Sequence, residues 1–195
     1  MKLKKLLMDS LIKTDFQRHG INKITLFKLF SVFYIFPNPG LKFMVIFRLC
    51  QKYRKKNKFL FILFFLWLRN LKFKYGFDIS YRTQIGAGFY IGHFGGIVIH
   101  GDTIIGDNCN ISQGVTLGIS NSKNQGSPII GDNVFLGPNA CVFGSVMIGS
   151  NTVVSANSVV TENIPSNSTV VSQKIKVIDK DLSNYYIHNS FTAEE

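Results

Sequence analysis

From residue 79 the chain can be written in blocks of six that nearly all begin with Ile, Leu or Val. The blocks run ISYRTQ, IGAGFY and IGHFGG. After a shift of two residues come IHGDTI, IGDNCN, ISQGVT and LGISNS. After an insertion come IGDNVF, LGPNAC, VFGSVM, IGSNTV, VSANSV and VTENIP. The second position is often Gly and the fifth is small or apolar. A period of six predicts a parallel β-helix, in which the aliphatic residue points inward on each flat face. Gly, Asn and Asp suit the corners, where a positive φ is needed. Three blocks make one triangular coil, so the repeats predict roughly four coils whose core forms only by stacking. Ile130 follows Leu117 by 13 residues rather than six. The excess is rich in Ser, Asn and Gly, which predicts an extruded loop near 119–129.

Before the repeats the pattern is helical. In PNPGLKFMVIFRLCQKYRKK, Asn38 reads as an N-cap and Pro39 as the first helical residue. Leu41, Met44, Val45 and Leu49 then recur at helical spacing, and Lys and Arg crowd the end, where they suit the helix dipole. The following FLFILFFLWL would span about 15 Å as a helix. A bilayer core of about 30 Å needs roughly 20 apolar residues, so it is no ordinary transmembrane span. Two roles stay open for this region. Its helices either only pack, or also lie against an anionic membrane surface, as cations beside Phe, Leu and Trp do.

Charge sharpens the boundary. Residues 1–74 hold 17 Lys and Arg against two acids, Asp9 and Asp15, whereas residues 75–195 hold five against nine. The expected organisation is a basic, aromatic helical region over 1–74, a β-helix domain over 75–172 and a tail over 173–195. No nucleic-acid motif accompanies the charge, so nucleic acid is not an expected partner. Cys50, Cys109 and Cys141 are odd in number and lack zinc spacing, which favours reduced thiols in a cytoplasmic protein. Asp9 and Lys13 break the apolar run at the N-terminus and no cleavage site follows, which argues against secretion.

Within the repeats, FDISYRTQIGAGFYIGHFGGIVI followed by ISQGVTLG resembles the serine acetyltransferase branch of the hexapeptide-repeat acyltransferases. The resemblance implies a left-handed parallel β-helix and acetyl-CoA as co-substrate. It implies a homotrimer, with acetyl-CoA lying along the coils between subunits. Asp78 and His93 stand 15 residues apart, the spacing of the branch's catalytic pair. His93 would be the general base for an acceptor hydroxyl, and Asp78 would orient it across a corner of adjacent coils, with no acyl-enzyme. Gly118, Ile119, Pro138 and Ala156 match positions that line the CoA groove, and Lys174 and Lys176 would meet its phosphates. His100 matches no role and reads as an ordinary surface or interface residue. A metal enzyme on this scaffold needs three histidines on neighbouring coils, and the coils offer two, so no metal is expected. A non-catalytic β-helix scaffold is a further alternative, disfavoured by the loop and the Asp–His pair.

The departures concern the acceptor. The branch carries Asp immediately before its catalytic His, where this chain has Gly92. It carries Arg-His before the Pro that follows the loop, where this chain has Gly126 and Ser127. Serine is a zwitterion held by opposite charges, so both handles are missing. That pattern points first to a neutral acceptor, a sugar hydroxyl of a cell-surface polysaccharide or its precursor. Serine O-acetylation is the alternative. Gly92 and Ser127 are the expected acceptor-side positions.

Overall fold

A computed structural model describes residues 10–35, 38–120 and 125–172. Its described strands form three parallel sheets of five, four and five strands, neighbours in a sheet being three strands apart along the chain except for the last pair of the third sheet, which are two apart. This is a parallel β-helix of about four coils with a helical region before it, the architecture the hexapeptide pattern predicts. Face A consists of Phe77–Ile79, Ile97–Ile99, Thr116–Gly118, Cys141–Phe143 and Val159–Val160. Its inward ladder runs Ile79, Ile99, Leu117, Val142 and Val160 in register, all buried. Each such side chain contributes about 1.5–3 kcal/mol relative to an exposed one. Corner asparagines at positive φ stack from coil to coil. Asn133 donates to Asn151, Asn151 to Asn167, and Asn139 to Asn157, at 3.0–3.2 Å.

The register locates the two irregularities. On face A, Val98 pairs with Thr116, 18 residues on, but Asp78 pairs with Val98, 20 residues on. The two extra residues fall in the corner 92–96, which holds His93 and turns through Gly95 (φ 104°) and Gly96 (φ 66°). The larger excess lies between Leu117 and Ile130, where the loop was expected. The segment leaves through a bridge between Ser120 and Gly126.

Among the described residues four helices precede the coils: α1 (Ser10–Arg18), α2 (Leu26–Phe30, continued by a π-turn over Ser31–Ile35), α3 (Pro39–Tyr53) and α4 (Lys58–Tyr75). Asn38 caps α3 as expected, its Oδ1 accepting from the Leu41 amide at 2.9 Å. Asn57 caps α4 in the same way, and Gly76 ends it at φ 67°. Helix α3 is the buried one, with Phe43, Met44, Ile46 and Phe47 all inside. It approaches the first coil so closely that a Cβ on Gly40 would strike the Ile91 carbonyl oxygen and lie 2.8 Å from the Ile91 Cβ.

A buried ion pair locks the helices to the coils. The Arg48 Nε donates to Asp15 Oδ2 at 3.0 Å, and its terminal nitrogens donate to the Ile85 and Gly86 carbonyls. The Phe89 amide donates to Asp15 Oδ1 at 3.1 Å. One lock therefore ties α1, α3 and the first coil. Burial pushes the Asp15 carboxyl above its ordinary range although Arg48 pulls it down.

Candidate active site

Asp78 sits at the centre of the first strand of face A, with its side chain outward and 71% exposed. Its carboxylate accepts an ion pair from the Lys72 Nζ of α4 at 2.7 Å. His93 stands on the lengthened corner 92–96, exposed, with no hydrogen-bond partner among the described residues. The expected Asp78–His93 contact is not made within one chain. The reason is the two-residue excess. Asp78 lies in register with Val98, five residues past His93, so one side chain is mid-face and the other on the edge.

The remaining expected residues sort onto the same two places. Pro138 and Ala156 stack on the edge that carries His93. Backbone bonds mark this edge, from the Gly114 amide to the Gly95 carbonyl, the Asn139 amide to Gln113, and the Asn157 amide to Pro138. Gly118 and Ile119 lie across face A. With Asp78, Ser80, Val98, His100 and Gly101 they line an open cavity of about 350 Å³. Gly118 is held close, since a Cβ there would meet the Phe143 ring at 2.7 Å. Lys174 and Lys176 lie outside the described residues, as does the tail from 173 on.

The cavity holds one residue that the sequence reading left without a role. The His100 Nδ1 lies 2.8 Å from the Ser127 Oγ, and the Asp102 amide donates to the same nitrogen at 3.4 Å. An amide can only donate, so Nδ1 accepts and the ring proton sits on Nε2. The Asp102 carboxylate is 4.0 Å from that same Nδ1. A nucleophilic Ser–His–Asp triad needs its Ser and Asp on opposite ring nitrogens, so these three residues are not one. What His100 offers instead is an N–H donor. No spacing rule could have found the pair, because Ser127 lies in the inserted loop, whose path the six-residue period does not set.

Gly92 has an ordinary φ, and a Cβ there would lie 3.3 Å from the edge of the Tyr90 ring. A side chain is therefore admissible at this position, and glycine is not required by the backbone. Cys50 and Cys109 are buried, and burial pushes both thiols up to about 11. All three cysteines are free.

A coiled stack of hexapeptides with an exposed corner imidazole and a carboxylate-lined cavity defines a class, and comparison with known proteins agrees. The family model described as hexapeptide repeat of succinyl-transferase matches residues 129–162. A serine acetyltransferase of Helicobacter pylori is 36% identical over 144 residues, which are 73% of this chain and 83% of the relative. The chain belongs to the hexapeptide-repeat acyltransferases, and its relatives within them are serine acetyltransferases. A serine acetyltransferase of Entamoeba histolytica, solved in complex with cysteine, superposes with TM-score 0.69 at 31% identity. The match covers 90% of this chain and 62% of that one. The Neisseria gonorrhoeae enzyme, solved in complex with serine, gives TM-score 0.69 at 26% identity, over 89% of this chain and 72% of that one.

Proposed function

We propose that the chain transfers the acetyl group of acetyl-CoA to a hydroxyl, with L-serine as the first acceptor to be considered. The supporting observation is His93, an unpartnered imidazole on an exposed edge, at the catalytic spacing from Asp78 of the branch it resembles. A neutral imidazole takes the proton as the acceptor oxygen attacks the thioester carbonyl. The C–S bond then breaks, and the imidazolium returns the proton to the CoA sulfur. The products are an O-acetyl ester and the free CoA thiol. Backbone N–H groups near the thioester would stabilise the oxyanion. Within one chain the edge bearing His93, Pro138 and Ala156 and the cavity bearing Asp78, Gly118 and Ile119 are two half-sites. A neighbouring copy in a trimer brings one edge to the next chain's cavity, where Asp78 orients His93.

Serine is taken ahead of the sugar acceptor that the sequence favoured because the relatives are named serine acetyltransferases. His100 gives this order a physical footing. One of the handles missing at 92 and at 126–127 has a counterpart in the cavity, where His100 offers an N–H for a carboxylate, while Asp78 serves His93. A sugar hydroxyl remains the second reading, favoured by the uncharged Gly92, Gly126 and Ser127. The deciding experiment measures CoA-thiol release from acetyl-CoA with L-serine, and separately with purified bacterial surface polysaccharides. Release on L-serine with O-acetylserine as product supports the first reading. Release on polysaccharide alone replaces it with the second.

A further inference from the structure

Helix α4 is apolar on both sides. Phe64, Leu68 and Leu71 face inward and are buried, while Phe59, Ile62, Leu63 and Leu66 face outward and are exposed, Phe59 by 76%. A helix that is apolar all round is ordinarily covered all round. The open face continues onto the π-turn, whose Phe33 meets Trp67 edge-on at 5.9 Å. Phe27, Phe30 and Tyr34 are exposed beside it. Contiguous apolar surface of this kind marks an interaction site.

Charge selects the occupant. From residue 16 to residue 77 the sequence contains no Asp or Glu. The carboxylates flanking that stretch are already engaged, Asp15 by Arg48 in the interior and Asp78 by Lys72. Exposed Arg54, Lys55, Lys56 and Lys58 stand at one end of α4, and Arg69 and Lys74 toward the other. Burial and the like charge of Lys74 lower the Lys42 pKa, as expected where cations crowd without counter-charge. A second copy docking through the same face would set cations against cations. An anionic bilayer surface offers apolar depth for the Phe and Leu side chains and phosphates for the Lys and Arg. No single described helix is long and apolar enough to cross a membrane; the bent pair Phe27–Ile35 with Pro39–Tyr53 would suffice by length and composition, but α3 is spent on the protein interior, which leaves a contact along the surface.

We propose that the outer face of α4, with α2 and the π-turn, docks the protein on an anionic lipid surface. Trp67, the only tryptophan, lies on this face and reports directly. Full-length protein is mixed with vesicles of phosphatidylcholine alone or mixed with phosphatidylglycerol, and Trp67 emission and co-sedimentation are followed. The expected result is a blue shift and partition onto the anionic vesicles that is at least about tenfold stronger than onto the neutral ones, weakening as salt rises. Leu63→Ser with Leu66→Ser, and separately Lys55→Glu with Lys56→Glu, should each abolish that preference. These positions are exposed, so the fold is retained. Absent or equal partition overturns the proposal. So does a blue shift that grows with protein concentration without vesicles, which would mean that a second copy covers this face.

Discussion

Replacing Asp15 by Ala tests how the helical region is held to the coils. The Asp15 and Arg48 side chains are 1% and 2% exposed. The change removes the Arg48 Nε bond at 3.0 Å, the Nη2 bond at 3.3 Å and the Phe89 amide bond at 3.1 Å. The guanidinium keeps its two carbonyl partners, Ile85 and Gly86, but these carry no charge. Leaving one buried charge of a pair uncompensated costs about 3–5 kcal/mol. That is a large share of the roughly 5–15 kcal/mol of a whole domain. Urea unfolding followed by Trp67 fluorescence reads the helical region, and the midpoint and slope give the free energy. The double variant Asp15→Leu with Arg48→Met removes both charges together. It should recover most of the loss, because burial already raises the Asp15 carboxyl and the pair stabilises little against an apolar substitute. A cost below about 1 kcal/mol for Asp15→Ala, the value of a surface pair, would refute the reasoning. So would a double variant that costs the sum of the two single changes.

Acidification should destabilise the helical region through His19. The Asn38 amide oxygen is taken by the Leu41 amide, so its nitrogen donates to the His19 Nδ1 at 3.0 Å and holds the ring neutral. Burial lowers this imidazole to about 4, from an unfolded value near 6.5. The unfolded chain therefore takes up a proton first. Stability is full above about pH 6.5, is lost as pH falls, and levels off near pH 4, by about 2 kcal/mol after allowing for partial exposure. The His19 ring lies 4.4 Å from that of Tyr90, tilted by 30°, and His19→Phe, which keeps a ring there, should flatten that slope in urea titrations at successive pH values. An unchanged slope would remove the assignment. Gly40→Ala should cost about 1–3 kcal/mol, because α3 must back away from Ile91. A melt indistinguishable from the parent would show that this contact is looser. Gly92→Asp fits beside Tyr90 and should lower the KM for L-serine about tenfold or more, with the acetyl-CoA KM unchanged. An unaltered serine KM would mean that position 92 does not face the acceptor.

The coils were legible because each inward Ile, Leu or Val stands at the head of its block, and one face position follows from the last. The N-cap at Asn38 was legible for a similar reason, since capping is local. The site was legible only in part. The 15-residue step from Asp78 to His93 and the two-residue shift after IGHFGG were both visible, but not that the corner 92–96 takes up the shift and sets the two side chains on different parts of the prism. His100 went unread because its partner Ser127 reaches it from the inserted loop, by a contact that no periodicity encodes. The membrane question was undecidable from composition. Helix α3 turns its apolar residues into the interior, whereas α4 leaves an apolar face open.

In the proposed reaction His93 removes the acceptor proton during acetyl transfer. The most direct measurement is CoA-thiol release by the parent protein and by His93→Ala, with the preferred acceptor saturating. The expected result is a loss of about 10²–10⁴-fold in kcat, an unchanged acetyl-CoA KM and the same assembly by sedimentation. Turnover by His93→Ala close to that of the parent would contradict it.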